Sequence, residues 1–359
     1  MAVPIARAIA FYLPQFHPVH ENNVWWGEGF TEWTNTAKAT SLFRGHYQPH
    51  IPANLGFYDL RVPETRVQQA FMAKEFGIEA FCYYHYWFAG KQLLQRPFEE
   101  VLSSAAPDFP FCLCWANETW SGIWHGEPKR VLIEQTYPGP IDHQAHFEAL
   151  LPAFKDVRYV CVDGKPIFLI YKPLQITESK ATLNMWRKMA QKTGLSGLHL
   201  VAVSNDIAID FQSLGYDASV LVPRIAQHWV SRRNLLAYIR HRVNKIRNFP
   251  DIVDFETVSG KPIPENPTGI DVYPAVIHAW DNTPRSKKNG VAYVNSTPDL
   301  YRKALNLAVR SVSDKPFDHR LIFLKSWNEW AEGNHLEPDL KYGKSYLKVV
   351  RDVLHSTQN

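Results

Sequence analysis

Two glutamates in one short segment are the residues of this sequence best suited to chemistry. Residues 326–333 read Ser-Trp-Asn-Glu-Trp-Ala-Glu-Gly and include Glu329 and Glu332. Side chains three positions apart in a turn or a first helical turn can face the same side. Cleavage of a glycosidic bond needs two carboxyl groups in different protonation states, because one protonates the leaving oxygen while the other provides or activates the nucleophile. We therefore predict Glu329 and Glu332 as a catalytic pair.

Eight short apolar runs must position this pair, and they alternate with helical patterns along the whole chain. The runs lie at 8–13, 79–84, 110–115, 166–171, 198–204, 218–221, 275–279 and 321–325. Four helices are predicted between these runs. Two cover residues 64–76 and 183–193, and Val67 and Phe71 share one face of the first. The other two begin after N-cap residues at Asp142 and Thr297. This alternation is typical of a parallel sheet wrapped by helices. Because an open doubly wound sheet usually has fewer strands, we predict a single α/β domain over 1–359, a (β/α)8 TIM barrel with long βα loops.

One segment interrupts the alternation. Residues 223–274, before the seventh strand, are predicted to form an insertion or lid within the barrel. Inside it, the basic run 231–247 places Leu235, Ile239 and Val243 four residues apart, opposite its Arg and Lys residues, as in an amphipathic helix. Such a helix would suit an anionic glycan, the phosphate of a lipid carrier or a membrane surface, and it would equally suit a solvated face.

The residues that follow the predicted strands are rich in aromatic, carboxylate and amide side chains. Barrels of this type build their active sites at the C-terminal ends of the strands, so these residues should meet in one cleft. Aromatic rings stack on sugar faces, whereas carboxylates and amides bind sugar hydroxyls; equally, a Trp there can pack the barrel top and a carboxylate can cap a turn. The predicted substrate-binding residues are Glu32, Trp33, Tyr84, Trp115, Asn117, Glu118, Asp281, Trp327 and Asn328.

Several other classes of function lack support in the sequence. It has no GxGxxG, GxxxxGK[ST] or GxSxG motif, and neither its four cysteines nor His17, His46 and His50 have zinc-site spacing, so we expect no cofactor and no metal. A net charge of +4 is too small to indicate nucleic acid, which leaves an oligo- or polysaccharide as the expected partner. With neither a signal-peptide pattern nor an apolar run of membrane length, we expect a cytoplasmic protein that can sit peripherally at the inner membrane.

Several long motifs give the chain a family resemblance. They comprise Phe-Tyr-Leu-Pro-Gln-Phe-His at 11–17, Trp-Trp-Gly-Glu-Gly-Phe-Thr-Glu-Trp at 25–33, Gly-His-Tyr-Gln-Pro at 45–49, Leu-Gly-Phe-Tyr-Asp-Leu at 55–60, Cys-Trp-Ala-Asn-Glu at 114–118, and the segment 326–333. Together they resemble the WbsX-type proteins, which are similar to glycoside hydrolase family 99 and occur in bacterial O-antigen and capsule gene clusters. The resemblance extends from Ile9 to about Tyr346 and is weakest across 223–274.

The resemblance implies a mechanism. Family 99 proper comprises (β/α)8 barrels with retaining, endo-acting α-mannosidase activity and no metal, and its Asn-Glu-Trp-x-Glu-Gly motif matches residues 328–333. By that match Glu329 would deprotonate the substrate's own 2-hydroxyl to give a 1,2-anhydro sugar, and Glu332 would act as general acid and then general base. Ala331 stands where those hydrolases tend to have His, which bears on sugar specificity.

Three functions follow as hypotheses. The first is a retaining endoglycosidase or transglycosylase that acts on mannose- or rhamnose-type glycans of bacterial surface polysaccharide. The second is a glycosyltransferase of O-antigen or lipopolysaccharide biosynthesis, which the absence of a nucleotide-binding motif disfavours unless its donor is linked to a lipid. The third is a glycan-binding protein without catalysis, for which the glutamate pair would be dispensable.

Overall fold

Eight parallel strands close into a barrel in the computed structural model, which describes residues 3–122, 127–225, 243, 249–264 and 269–356. The strands are β1 (Arg7–Tyr12), β2 (Ala80–Phe88), β3 (Phe111–Trp115), β4 (Lys165–Ile170), β5 (His199–Ser204), β6 (Ala218–Leu221), β7 (Asp271–Ile277) and β8 (Leu321–Lys325). Each strand pairs in parallel with the next, and β1 pairs in parallel with both β2 and β8, which closes the sheet. The predicted (β/α)8 barrel is confirmed.

Helices lie between most strands of the barrel, whereas residues 205–217 between β5 and β6 form turns. The helices are α1 (His20–Trp26), α2 (Glu32–Ala37), α3 (Pro63–Glu75), α4 (Arg96–Ser104), α5 (Pro140–Phe154), α6 (Ser179–Lys192), α7 (Thr283–Ser286), α8 (Pro298–Val312) and α9 (Ser345–Leu354). Short strands lie at Lys91–Leu93, Trp120–Gly122, Glu127–Ile133, Cys161–Val162, Asp251–Asp254, Val291–Val294, Asn328–Glu329 and Asn334–His335.

The starts of two helices test the capping predictions. Helix α8 begins as expected, since the Thr297 side chain accepts a hydrogen bond from the backbone N–H of Leu300 and Pro298 occupies the first turn. Helix α5 begins at Pro140, so Asp142 lies in its first turn instead of capping it. The Asp142 carboxylate accepts a hydrogen bond from Trp87 Nε1 at 3.1 Å, which explains why this acidic residue is not used as a cap.

The barrel strands are buried on both faces. All residues of β1, β3 and β8 are buried, as is usual for a parallel sheet with side chains packed inside it and helices packed outside it. Cys82, Cys112 and Cys114 are free thiols inside this core, and Cys161 is a partly exposed free thiol. The cysteines therefore contribute packing and no disulfide among the described residues.

The predicted insertion contributes to two structures. Strand β7 begins at Asp271, four residues before the predicted start at 275, so the last residues of 223–274 belong to the barrel. Asp251–Asp254 pairs in parallel with Val291–Val294 in a two-stranded sheet separate from the barrel sheet. The basic helix predicted at 231–247 lies outside the described residues except for Val243. Every helix within the described ranges is too short or too polar to cross a bilayer.

Helix α3 buries Gln69 together with the apolar residues Ala70, Met72 and Ala73. Val67 and Phe71, which the sequence places on one face, have 46% and 71% of their surface exposed, whereas Gln69 is fully buried. Gln69 Nε2 donates to Glu337 Oε1 at 2.6 Å, and Gln69 Oε1 accepts from the Tyr12 hydroxyl at 2.7 Å. A buried amide is stable when its polar atoms are paired, so these long-range partners allow Gln69 to lie on the buried face.

We expect Gln69→Met to lower the free energy of unfolding by about 1–3 kcal/mol, because it removes a donor from a buried carboxyl group. Phe71→Ser on the same helix should change it by less than about 0.5 kcal/mol, because Phe71 contributes little buried surface. Urea denaturation of both variants and the parent measures the difference. Equal destabilisation by the two substitutions would contradict this account of α3.

Candidate active site

The carboxyl ends of the barrel strands open into a cleft of about 830 Å³. Its aromatic lining residues are Trp26, Phe30, Tyr84, Tyr86, Trp120, Tyr171, Phe211 and Trp280. Its charged lining residues are Glu32, Glu118, Lys172, Arg285, Lys325, Glu329 and Glu332. The cleft therefore combines flat apolar rings with carboxylates, which is the composition expected of a site that binds sugars.

A tight turn carries the two candidate catalytic glutamates into this cleft. Asn328–Glu329 pairs antiparallel with Asn334–His335, and a 3-10 turn over Trp330–Glu332 joins them; residues 328–335 are called the glutamate turn below. Gly333 has φ +57°, and a Cβ there would lie 2.9 Å from Asp281 Cβ. Only glycine combines this backbone conformation with so close an approach to Asp281.

The environment of Glu329 keeps its carboxyl group ionised. Its side chain is buried, and its carboxylate oxygens lie 3.3 and 3.4 Å from Lys325 Nζ. Burial acts to raise its pKa, but the positive charge of Lys325 and hydrogen bonds from Glu332 and Tyr84 outweigh burial and leave the pKa of Glu329 below its ordinary value. Glu329 is thus a carboxylate available to accept a proton.

Glu332 has the opposite tendency. Burial raises the pKa of its carboxyl group to about 7; the negative charge of Glu329 adds to this effect, and Arg285 opposes it. The Glu329 and Glu332 carboxyl groups line the same cleft, and each affects the pKa of the other, so they belong to one site. Neighbouring carboxyls whose pKa values are pushed apart are suited to act as an acid and a base near neutral pH.

Arg285, which the sequence analysis did not select, binds two carboxylates of the cleft. It lies on α7 after β7, with Nη1 2.5 Å from Glu332 Oε1 and Nη2 2.9 Å from Glu32 Oε2. Its only sequence signal is its position a few residues after the strand predicted at 275–279. Through this cation Glu32, a predicted site residue, is linked to Glu332.

Lys325 was also missed, because it reads as the end of an apolar strand. It is the last residue of β8, and its buried ammonium group contacts the Tyr84 hydroxyl at 3.3 Å as well as Glu329. Residues late in a barrel strand line the active-site end of the barrel, and that position is the signal that could have identified Lys325.

The structure brings three predicted substrate-binding residues to the cleft. Glu32, Tyr84 and Glu118 all line it. Glu118 Oε1 lies 2.9 Å from Lys172 Nζ at a half-exposed position. Whether each of them contacts a sugar stays a prediction.

Five other predicted residues lie behind the cleft wall and support it. Trp115 and Trp327 are fully buried, and Trp33 Nε1 donates to the carbonyl oxygen of Tyr58 at 2.7 Å. The remaining two use their amide groups to hold backbone: Asn328 Oδ1 accepts from Leu13 N at 2.7 Å, and Asn117 Oδ1 accepts from Lys172 N at 2.8 Å. Direct sugar contact by these five side chains stays a prediction.

Asp281 positions the glutamate turn. Its carboxylate accepts hydrogen bonds from His46 Nε2 at 2.7 Å, Gln48 Nε2 at 2.8 Å and the Thr283 hydroxyl at 2.6 Å. Its backbone N–H donates to the carbonyl oxygen of Glu332 at 2.6 Å. The carboxylate predicted to bind sugar is thus already engaged by protein donors, and its role as a sugar ligand stays a prediction.

Glu337 anchors the same turn from the other side and was not predicted. Its buried carboxyl accepts hydrogen bonds from Trp330 Nε1 at 2.6 Å, Gln69 Nε2 at 2.6 Å and the Tyr58 hydroxyl at 2.9 Å. Burial raises its pKa to about 7, although these donors oppose the shift. Trp330 lies between Glu329 and Glu332 in the chain, so this network fixes the segment that presents both.

Comparisons with known proteins agree with this architecture. The family model described as "Glycosyltransferase WbsX" matches residues 8–350. Two proteins named WxcX, from two strains of Xanthomonas campestris pv. campestris, are each 38% identical over 351 residues, which is 97% of this chain and 50% of theirs. The chain thus spans about half the length of these relatives.

Solved structures similar to this chain include two glycoside hydrolase folds. A glycoside hydrolase-like protein superposes with a TM-score of 0.61 at 14% identity, over 99% of this chain and 97% of the other. The GH99 endo-alpha-mannosidase from Bacteroides thetaiotaomicron superposes with a TM-score of 0.57 at 16% identity, over 98% and 96%. At these identities the likeness establishes the barrel fold.

Proposed function

The chain belongs to the glycosyltransferase WbsX family, and we propose that it cleaves or transfers a glycosidic bond of a bacterial surface polysaccharide, with Glu329 as base and Glu332 as acid. One observation carries the proposal: two buried carboxyl groups line the same aromatic cleft while their pKa values shift in opposite directions. This is the acid and base pair that glycoside chemistry requires.

The proposed reaction retains the anomeric configuration. The Glu329 carboxylate takes the proton of the substrate's 2-hydroxyl, O2 attacks C1, and Glu332 protonates the departing oxygen, which yields a 1,2-anhydro sugar and a free alcohol. Glu332, now a carboxylate, deprotonates a water or a sugar hydroxyl that opens the ring at C1, while Glu329 returns its proton to O2. Water as acceptor gives hydrolysis, and a sugar hydroxyl gives transglycosylation.

The charges of the cleft support a neutral glycan over a diphosphate donor. Each cation among its described lining residues is paired with a carboxylate: Arg285 with Glu32 and Glu332, Lys325 with Glu329, and Lys172 with Glu118. A nucleotide- or lipid-linked diphosphate needs cations free to bind its phosphates. The family description favours a glycosyltransferase of O-antigen biosynthesis as the second candidate, and a lipid-linked donor would be its substrate.

We expect Glu329→Gln and Glu332→Gln each to lower kcat for release of oligosaccharides from rhamnose- or mannose-containing polysaccharides by about 10²–10⁴-fold. Each substitution removes one proton transfer and preserves the shape of the side chain. Glu64→Gln, at an exposed position on α3, serves as the control and should leave release unchanged. Chromatography of the released oligosaccharides provides the measurement. If the parent releases no oligosaccharide but transfers sugar from a lipid- or nucleotide-linked donor, the transferase is the correct function.

A 2-deoxy glycan should not be cleaved at a measurable rate, because it lacks the hydroxyl that forms the anhydro sugar. The experiment compares initial rates for matched synthetic oligosaccharides with and without the 2-hydroxyl. Cleavage of both at similar rates would exclude participation of the 2-hydroxyl and leave the acid and base assignments to be tested separately by the Gln variants.

The pH profile of kcat/KM should be bell-shaped, since activity is lost when Glu329 gains its proton at low pH and when Glu332 loses its own at high pH. Lys325→Met removes the charge that lowers the pKa of Glu329, so the acidic limb should move to higher pH. Arg285→Met removes the charge that lowers the pKa of Glu332, so the alkaline limb should also move to higher pH.

Lys172→Met is the matched control for these profiles, because Lys172 lines the same cleft but pairs with Glu118. It should leave both limbs in place. A shift of the alkaline limb to lower pH in Arg285→Met would contradict the assignment of Glu332 as the acid.

A further inference from the structure

A second cavity lies beside the glutamate turn. Its volume is about 290 Å³, and among its described lining residues only Trp280 also lines the cleft. His50, His278, His335 and Asp339 line it and are all buried. This concentration of buried imidazoles next to a carboxylate plays no part in the proposed reaction.

Three of these side chains converge on one point. His50, His335 and Asp339 each offer a donor atom, and the three atoms lie within 4.8 Å of one another. His50 Nδ1 is 2.8 Å from His335 Nε2, so two ring nitrogens face each other directly. His50 comes from the loop after β1, whereas His335 is the last residue of the glutamate turn and Asp339 lies four residues beyond it.

The hydrogen bonds around the cluster fix the donor atoms. His335 Nδ1 is 2.9 Å from the carbonyl oxygen of Glu337, so Nδ1 carries the proton and Nε2 accepts the hydrogen bond from His50 Nδ1–H. When a metal ion replaces that hydrogen bond, the His50 proton moves to Nε2 and Nδ1 becomes the ligand atom. A backbone carbonyl that orients the second ring nitrogen is the usual partner of a metal-binding histidine. Asp339 Oδ1 accepts from the backbone N–H groups of Lys341 and Tyr342 at 3.1 and 2.6 Å, which orients its carboxylate.

We propose that His50, His335 and Asp339 bind one divalent transition-metal ion, with Zn²⁺ as the best match. Two imidazoles and one carboxylate are the donors that Zn²⁺ accepts, whereas Ca²⁺ and Mg²⁺ prefer oxygen donors alone. The cavity provides room for a water molecule as fourth ligand. Buried His278 lines the same cavity, and its Nδ1 has no hydrogen-bond partner among the described residues. Zinc–nitrogen bonds of about 2.0–2.1 Å separate two tetrahedral nitrogens by roughly 3.3 Å, so the two rings move apart by about half an ångström on binding.

The metal has a structural role at this position. His335 pairs in register with Asn328 and stacks on Trp330 at 3.6 Å between ring centroids. An ion that joins His335 to His50 therefore ties the glutamate turn to the loop after β1, without contacting a substrate in the cleft. It stabilises the backbone on which Glu329 and Glu332 are held.

Metal titration of the chelator-treated protein tests the site without any glycan. We expect the parent to bind one equivalent of Zn²⁺ by calorimetry and to show tetrahedral d–d absorption with Co²⁺. His50→Ala and Asp339→Asn should each weaken Zn²⁺ binding at least tenfold, whereas His20→Ala, which removes an exposed imidazole, should not. Zinc should raise the Tm of the parent and of His20→Ala, but not that of His50→Ala or Asp339→Asn, because a ligand stabilises the native state that binds it.

Two results would overturn the proposal: a parent that takes up no zinc, or a His50→Ala variant that binds zinc as tightly as the parent. In either case the His50 and His335 rings form a simple hydrogen-bonded pair. Circular dichroism verifies that each variant is folded. If His50→Ala does not fold, X-ray absorption of the zinc-loaded parent decides, since a first shell without two imidazole nitrogens excludes the site. None of these measurements depends on glycan turnover.

Discussion

The hydrogen bonds to the buried carboxyl of Glu337 hold the rest of the site in place. A carboxyl group in the interior costs several kcal/mol unless donors surround it, and here the donors come from three separate parts of the chain. Gln69 belongs to α3, Tyr58 to the loop after β1, and Trp330 to the glutamate turn itself. Satisfying this one group therefore docks a helix and a long loop onto the turn that presents Glu329 and Glu332.

Two cations flank the glutamate pair and act unequally on its members. Lys325 contacts both carboxylate oxygens of Glu329, whereas Arg285 divides its charge between Glu332 and Glu32. Burial acts in the same direction on both glutamates, but the cations together with the interaction between the two carboxyl groups lower the pKa of Glu329, while burial and the charge of Glu329 raise the pKa of Glu332. Two identical side chains three residues apart thus acquire different proton affinities.

Many polar residues near the strand ends form hydrogen bonds to the backbone of the site and do not line its cavity. Asp281 holds the Glu332 carbonyl, Asn328 holds the loop after β1, and Gly333 permits the close approach of Asp281. The sequence predicts Asp281 and Asn328 as sugar-binding residues because carboxylate and amide groups can bind a sugar hydroxyl or hold a buried backbone segment by the same hydrogen bonds. Their partners distinguish the two uses, and some of those partners lie more than 200 residues away along the chain, as His46 does from Asp281 and Leu13 from Asn328.

The sequence by itself determined the barrel, its order of strands and the position of the glutamate pair after the last strand, because periodicity and spacing are local properties of a chain. Tertiary structure decided that α3 buries Gln69 and exposes Phe71, that Arg285 and Lys325 belong to the site, and that His50 meets His335. Each of these depends on a contact between distant segments, and the strength of a charge or hydrogen bond depends on distance in space and on burial. Those two quantities exist only after the barrel has closed.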